Sequence, residues 1–211
     1  MLVLKYKKEG RAKFISHLDM LKHMGKILRR ANVKVEFSKG FNPHEILYFS
    51  PANVCGSTSD CEYMVVATNH DKDDFLKKFN SVAIEGITGI YAVNVAKNPN
   101  LAAICNQAEY EIKASEKEAE NVKKAFEKEV FEVTFTQKGE EKTQDVRDKM
   151  ISYEYEGGVL KLVLAAGNTT LRTDRFLPAV GIETPANRTK LFAKMNGGTV
   201  DVDDMLEVIQ I

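Results

Sequence analysis

Two short motifs near the start of the chain contain the residues best suited to chemistry. SHLD (16–19) places a hydroxyl, an imidazole and a carboxylate within four residues, and GFNPH (40–44) places a second imidazole on a loop stiffened by proline. Two imidazoles in one pocket would suit proton transfer, as in RNA cleavage. An aromatic ring presented beside cations would instead suit stacking on an unpaired base.

Each motif also has a purely structural explanation, and the choice stays open at this stage. Ser16 and Asp19 match a helix capping box. His17 falls toward the apolar side of the first helical turn, where it should not simply be solvated and where a histidine is more often structural than catalytic. Phe41 could equally be a core residue of a tight connecting loop.

The segment after SHLD has the pattern of an amphipathic helix with one basic face. Its cations fall within an arc of roughly 100°, and the apolar side chains occupy the opposite side. These cations are Lys22, Lys26, Arg29 and Arg30. Such a stripe suits contact with successive phosphates, each adding to a salt-dependent affinity. Lysine and arginine also occupy ordinary solvated helix faces, or pair with acids such as Asp60.

The formal charge is zero overall but is unevenly distributed. The sequence has 30 Lys and Arg against 30 Asp and Glu, whereas residues 1–50 contain eleven cations and four anions, a net charge of +7. The remainder therefore carries −7, part of it in a tail with Asp201, Asp203, Asp204 and Glu207. One region should attract polyanions and another should repel them. Alternatively, the two ends neutralise each other inside the fold.

Several other classes of protein are disfavoured. No apolar run reaches the roughly 18 to 20 residues that a membrane helix needs, and the start is not a signal peptide. P-loop, GxSxG, HExxH and GxGxxG motifs are absent. Cys55, Cys61 and Cys105 form no CxxC pair. His17 and His23 lie about 240° apart on the helix and cannot bind one metal ion. His44 could meet His17 in space, with Cys55 or Cys61 as further ligands, but no spacing demands it, so no metal or cofactor is expected. Reduced thiols without a signal peptide predict a cytoplasmic protein.

The hydrophobic pattern of the first half predicts the order β-α-β-β-α-β. Alternation indicates strands, and helical spacing with capping signals indicates helices. The predicted strands lie at 2–6, 33–37, 61–68 and 87–95, with an extension at 46–49, and the helices lie at 17–31 and 71–80. This is the order of a ferredoxin-like (split βαβ) fold, with two helices on one face of an antiparallel sheet.

The pattern begins again after a candidate linker at 98–107. Ser115 and Glu118 form a second capping box, and a short helix is expected from Thr173 to near Pro178. The other predicted elements are strands near 110–114 and 131–135, a charged loop at 137–148 and a hairpin over 151–165. We therefore predict an α+β protein of two tandem ferredoxin-like domains, 1–97 and 108–211, the second less regular.

Several stretches of the chain together resemble the radical-SAM-linked protein family. They are GRAKFISHLD (10–19), LRRA (28–31), SKGFNPH (38–44) and GSTSDCEY (56–63). TLRTD (170–174) and NRTKL (187–191) resemble two further segments of that family. The sequence departs from the family pattern at Lys13, where arginine is usual, at Lys39, in place of a common glutamine, and at Glu45, where proline is usual.

The resemblance implies a domain of uncharacterised function that lies beside, or is fused to, a radical SAM iron–sulfur protein. A radical SAM protein is therefore the expected partner. The three dispersed cysteines cannot provide a CxxxCxxC cluster site, so this chain is not itself the radical enzyme.

Three functional hypotheses follow. The first is a non-catalytic adaptor that holds an anionic substrate, structured RNA, for the partner enzyme. The second is a module whose basic surface docks on an acidic patch of the partner. The third is an RNA-processing enzyme using His17, His44 and Arg11 or Arg30. The first selects these binding residues: Arg11, His17, Lys22, Lys26, Arg29, Arg30, Lys39, Phe41, Asn42 and His44.

Overall fold

Nine strands of the computed structural model, which describes residues 1–195 and 197–211, join one mostly antiparallel sheet. The strands are β1 (Leu2–Lys8), β2 (Leu47–Phe49), β3 (Thr58–Val66), β4 (Ile87–Asn94), β5 (Cys105–Lys113), β6 (Glu132–Gln137), β7 (Glu140–Asp145), β8 (Met150–Glu156), β9 (Val159–Ala165), β10 (Asn187–Met195) and β11 (Gly198–Asp201).

Six α-helices lie within the described residues, and the α+β class is thereby confirmed. They are α1 (His17–Arg30), α2 (Lys72–Val82), α3 (Leu101–Ile104), α4 (Glu116–Phe126), α5 (Thr173–Ala179) and α6 (Val202–Ile209). Short 3₁₀ turns occur at Gly10–Phe14, Arg147–Lys149 and Gly167–Thr169.

The large sheet runs across both halves of the chain. Its order is β4-β1-β3-β10-β5-β9-β8, with β2 added to β3 and β11 added to β10, while β6 and β7 form a separate two-stranded ribbon. The halves meet where β3 and β10 pair in parallel over two residue pairs, Asn187 with Thr58 and Arg188 with Ser59. The two predicted units therefore share one sheet.

Two clusters of buried apolar side chains lie on the sheet. The smaller joins α1 and α2 to one face of the first-half strands and includes Leu4, Met24 and Phe79. The larger includes Val3 and Leu206, and it runs from the opposite face of those strands, past α3 and α6, into the second half. Because successive strand residues point to opposite faces, β1 contributes to both clusters.

Local start and stop signals in the sequence are confirmed. Asn32 adopts a left-handed φ of 52° after α1, and Ser115 with Glu118 forms a reciprocal capping box at α4. The predicted hairpin is β8 and β9, which are joined through Gly157 and Gly158 at φ 57° and 83°. Such positive φ values suit glycine because it lacks a Cβ atom.

The predicted strand at 33–37 is wrong. Val33 to Phe37 contributes one isolated bridge, between Phe37 and Glu45, and the antiparallel neighbour of β3 on this side is β2. The amide of Glu36 donates to the carbonyl of Ala67, beyond the end of β3. The alternating side chains therefore belong to an extended segment that is not a strand of the sheet. The hydrogen-bond ladder with β3 is formed by β2 instead.

The charged loop predicted at 137–148 is also wrong, because residues 140–145 form β7. Lys138 and Gly139 both have positive φ, 55° and 83°, as a two-residue hairpin turn requires. All six residues of β7 are exposed, so the strand carries no apolar alternation to reveal it. Part of the predicted linker is also regular structure, since residues 98–107 contain α3 and the first three residues of β5.

A buried ion pair lies where the halves meet. Arg188 is 1% exposed, and its Nη2 is 2.8 Å from Oε1 of Glu62 on β3. Its Nη1 donates to the carbonyl of Pro51 at 2.9 Å, and its Nε donates to the hydroxyl of Ser59 at 3.4 Å. Burial alone would lower the pKa of Arg188, but Glu62 together with Cys61, Tyr110 and Tyr6 outweighs that effect and raises it. The guanidinium therefore stays charged and joins β10 to the first half.

A second polar cluster attaches α6 to the first half. One carboxylate oxygen of Asp203 accepts from the hydroxyls of Tyr63 at 2.6 Å and Tyr91 at 2.5 Å, and the other accepts from Lys5 at 2.5 Å. Burial would raise the pKa of Asp203, but these three donors together lower it. Asp203 is therefore ionised near neutral pH and stabilises the fold.

We predict that Arg188→Met lowers the free energy of unfolding by about 3–5 kcal/mol, because it leaves the Glu62 carboxylate buried without its partner. Chemical denaturation measures the change. The double variant E62M/R188M removes both charges and should recover most of the loss. A double variant as unstable as the sum of the two single variants would contradict this account.

We predict that Asp203→Asn destabilises the protein by about 1–2 kcal/mol at pH 7, a figure reduced for the partial exposure of this side chain. A depressed folded pKa gives stability that is present above the unfolded pKa, about 3.9, and is lost as pH falls through the folded value. The difference from wild type should therefore shrink between about pH 5 and pH 2. Asp204→Asn, at an exposed neighbour, should show little difference at any pH.

Candidate anion-binding surface and junction cavity

Helix α1 buries its apolar side and exposes its cations, as predicted. Met24, Ile27 and Leu28 are fully buried, whereas all four cations of the stripe are exposed. The hydroxyl of Ser16 accepts the amide of Asp19 at 3.2 Å. The Asp19 carboxylate accepts from that hydroxyl at 2.7 Å, and this contact takes the place of the backbone bond of a full capping box.

Two arginines of the stripe already have partners, and one of them is neutralised. Nε of Arg29 is 3.0 Å from Oε1 of Glu45, and Nη2 of Arg30 donates to the carbonyl of Val82 at 3.1 Å. Lys22 and Lys26 have no ion-pair partner within the described part of the chain. The stripe therefore presents Lys22, Lys26 and the charge of Arg30 to a ligand.

His23 adds no charge to this face at neutral pH. Burial lowers its pKa, and the neighbouring cations Arg30 and Lys26 lower it further. Both effects disfavour the imidazolium form.

The loop that carries GFNPH is closed by its own hydrogen bonds. The amide of Ser38 donates to the carbonyl of His44 at 2.8 Å, and the amide of His44 donates to the Ser38 hydroxyl at 3.1 Å. The same hydroxyl is 2.9 Å from Nδ1 of His44. Phe41, at the tip, is 99% exposed, which excludes its interpretation as a core residue. Lys39 and Asn42 are exposed beside it.

Glu45 connects this loop to α1. Besides its ion pair with Arg29, its carboxyl group lies 3.4 Å from the position that a Cβ atom on Gly25 would occupy. Gly25 therefore lets the carboxylate approach the helix backbone closely. Glu45 thus joins the loop and the basic stripe into one surface.

The acidic tail does not cover this surface. Asp203 binds Lys5 and two tyrosines, and Asp201 is 3.8 Å from Lys190. Asp60 pairs with Lys7 at 3.0 Å. Lys5 shares a sheet face with Val3, opposite the face that packs on α1. Asp203 of the tail therefore neutralises Lys5 and leaves the helix stripe exposed.

The two histidines do not line the same cavity. His17 is exposed at the start of α1, contrary to its expected place on the apolar side, and its ring meets Phe49 edge-on at 6.0 Å between centroids. It also lines a cavity at the junction of the halves, together with Arg172 and Arg188. His44 does not line that cavity. Arg11 is exposed on the 3₁₀ turn before α1.

Arg172 and Arg188 were not selected as site residues by their local sequence. The sequence signal that could have identified them was the resemblance of the TLRTD and NRTKL segments to the radical-SAM-linked pattern. The fold brings both segments to the same cavity as SHLD.

Leu18 also differs from expectation, since it is 69% exposed and does not pack on the sheet.

Within residues 1–195 and 197–211, no group of three or more His, Cys, Asp or Glu is arranged to hold a metal ion. None of the helices described is long and apolar enough to cross a membrane.

Comparison with known proteins gives one family match. Residues 1–173 match the model of a family described as "Uncharacterized protein conserved in bacteria" (DUF2344). The matched range contains SHLD, GFNPH and Arg172, and it ends before Arg188. A search of curated proteins found no match to this chain.

Proposed function

This chain belongs to the DUF2344 family of uncharacterised bacterial proteins, and we propose that it is a non-catalytic accessory protein that binds structured RNA. The binding surface, here called the basic surface, consists of the α1 stripe and the adjoining loop. Its ligand-facing residues are Lys22, Lys26, Arg30, Lys39 and Phe41.

The observation that carries this proposal is the exposure of Phe41. Its ring is 99% exposed at the tip of a loop that internal hydrogen bonds and the Glu45–Arg29 pair hold against a basic helix. An exposed aromatic ring next to cations suits stacking on an unpaired base, which contributes about 1–3 kcal/mol per base. The pre-formed loop lowers the entropy lost on binding.

The charge distribution supports a polyanion as the ligand. Residues 1–50 carry a net charge of +7. Asp203 and Asp60 pair with β1 on the opposite face of the sheet, and Glu45 neutralises Arg29 alone among the four stripe cations within the described residues. Exposed lysine and arginine side chains at helical spacing supply contacts to phosphates and release condensed counterions.

The resemblance to the radical-SAM-linked family supports a radical SAM protein as the partner that acts on the bound RNA. We also infer that each half of the chain is a ferredoxin-like unit. The sheet order β4-β1-β3-β2 in the first half is repeated by β10-β5-β9-β8 in the second, and the β6–β7 ribbon is an insertion between α4 and β8.

A second candidate function is docking of the basic surface on an acidic patch of the partner protein. It is favoured by the Arg29–Glu45 pair, because a carboxylate within the surface gives a mixed charge pattern. Copurification of the partner that survives nuclease treatment, but is lost when the stripe is reversed, would support docking over RNA binding.

We predict that the triple variant K22E/K26E/R30E abolishes RNA binding at 100 mM salt, because it replaces three phosphate contacts with repulsion. Fluorescence anisotropy with a labelled stem–loop RNA measures affinity across a salt series. Wild-type affinity should fall steeply with salt.

The matched control is K117E/K123E/K124E on α4, which changes the net charge by the same amount at exposed positions elsewhere. This control should retain most of the affinity. Equal loss in both triple variants, or absence of wild-type binding even at low salt, would overturn the proposal.

We predict that Phe41→Ala weakens RNA binding about 10-fold while leaving the salt slope unchanged, since it removes stacking and no phosphate contact. The same anisotropy series reports both quantities. Phe14→Ala, at another exposed ring, serves as the control and should bind like wild type. An altered salt slope in the Phe41 variant would show that its effect is not stacking.

A further inference from the structure

We propose that the junction cavity is a second, separate anion site that binds the phosphate group of a phosphate monoester. The cavity has a volume of about 310 Å³, at the small end of the range for ligand pockets. It lies between the start of α1 and the second half of the chain. The side chains that matter for the argument are Ser16, His17, Tyr110, Thr170, Arg172 and Arg188.

The cavity has an exposed rim and a buried floor. Ser16, His17, Thr170 and Arg172 are exposed at the rim, whereas Tyr110 and Arg188 are 5% and 1% exposed. A ligand that enters from solvent would therefore place its charged group against buried donors. Their shielding from water strengthens each contact.

The described residues that line the cavity include two arginines and no aspartate or glutamate. Hydroxyls, an imidazole and two guanidinium groups reach it from four separate parts of the fold: the start of α1, β5, the segment before α5, and β10. Burial raises the pKa of Tyr110 to about 12, so its hydroxyl remains a donor at neutral pH. This composition favours an anionic ligand.

Arg188 supplies a buried guanidinium group at the floor of the cavity. Its position is fixed by Oε1 of Glu62 at 2.8 Å, the carbonyl of Pro51 at 2.9 Å and the hydroxyl of Ser59 at 3.4 Å. Because the fold already holds this side chain in place, little conformational entropy is lost when an anion contacts the floor.

The guanidinium group of Arg172, at the rim, is held in a fixed orientation by Asp174. Its Nε and Nη2 donate to the two carboxylate oxygens of Asp174 at 2.9 and 2.5 Å, which fixes the plane of the guanidinium and leaves Nη1 for another acceptor. The start of α1 adds a further attraction. This helix has 14 residues, and the first amides of a helix lack intrahelical acceptors and carry partial positive charge.

Donors that converge from several sides suit a tetrahedral group with three terminal oxygens better than a planar carboxylate. A phosphate monoester has this shape and carries close to two negative charges at neutral pH. Its source would be either a small phosphorylated molecule or the 5′ end of an RNA chain. Because the basic surface contributes none of these donors, the cavity site does not depend on the proposed function.

The test is isothermal titration calorimetry with inorganic phosphate, AMP and adenosine as probes. Wild-type protein should bind phosphate and AMP but not adenosine. R172A should weaken both by at least tenfold, and R172K should do so less. R175A is the matched control, because Arg175 stacks on Phe135 at 3.6 Å and does not line the cavity. An unchanged Tm would show that each variant is folded.

Two results would overturn the proposal: no binding of phosphate or AMP at millimolar concentration, or equal binding by wild type and R172A.

The source of the phosphate is tested with K22E/K26E/R30E, which leaves the cavity intact. Stronger binding of a 5′-phosphorylated RNA than of its 5′-hydroxyl counterpart supports an RNA end. Binding of AMP and phosphate without that preference supports a small molecule. Loss of RNA binding with retention of AMP would separate the two sites.

Discussion

The charge of Arg188 is the constraint on which the rest of the structure depends. Its guanidinium is removed from water, so the carboxylate of Glu62, the hydroxyl of Ser59 and the carbonyl of Pro51 must all lie within reach. The parallel contact between β3 and β10 covers two residue pairs, too few to set the register of two halves by backbone bonds alone. The buried ion pair helps to fix that register, together with the Asp203 cluster and the apolar core that both halves share. These contacts bring the cavity beside the start of α1.

Much of the fold could be predicted from local sequence patterns. What could not be predicted lacks a short-range signal in the sequence. Alternation in β1 and the capping signals of α1 and α4 are short-range, so they are readable in the sequence. The pairing of the two halves in one sheet cannot be read from the sequence, because Arg188 and its partners on β3 are more than 120 residues apart. The NRTK segment reads as polar surface, yet its arginine is among the most buried side chains. Strand β7 was missed because both of its faces are solvated.

The candidate surface was predictable only in part. Helical periodicity placed the four cations on one face, since geometry alone decides that. Helical periodicity could not reveal the pairing of Glu45 with Arg29, because that contact depends on how closely the loop approaches the helix at Gly25. Loop residues have no periodicity, which is why the exposure of Phe41 stayed open until the loop was seen. The acidic tail was an evident partner for cations, but Asp203 pairs with Lys5 of β1 and Asp201 lies near Lys190 of β10.

Helix α1 relates the two anion sites. Its N-terminus lies at the cavity, and its cations continue along the remaining turns toward the GFNPH loop, over a helix of about 21 Å. The two ends attract anions by different means. Fixed amides and shielded guanidinium groups act at the cavity, where salt screens weakly, whereas flexible lysines act along the stripe, where salt screens strongly. The cavity therefore gives selectivity for the shape of one charged group, and the stripe gives affinity for charge density. A single helix, held on the sheet by Met24, Ile27 and Leu28, can supply both, because its dipole and its side chains are independent sources of positive potential.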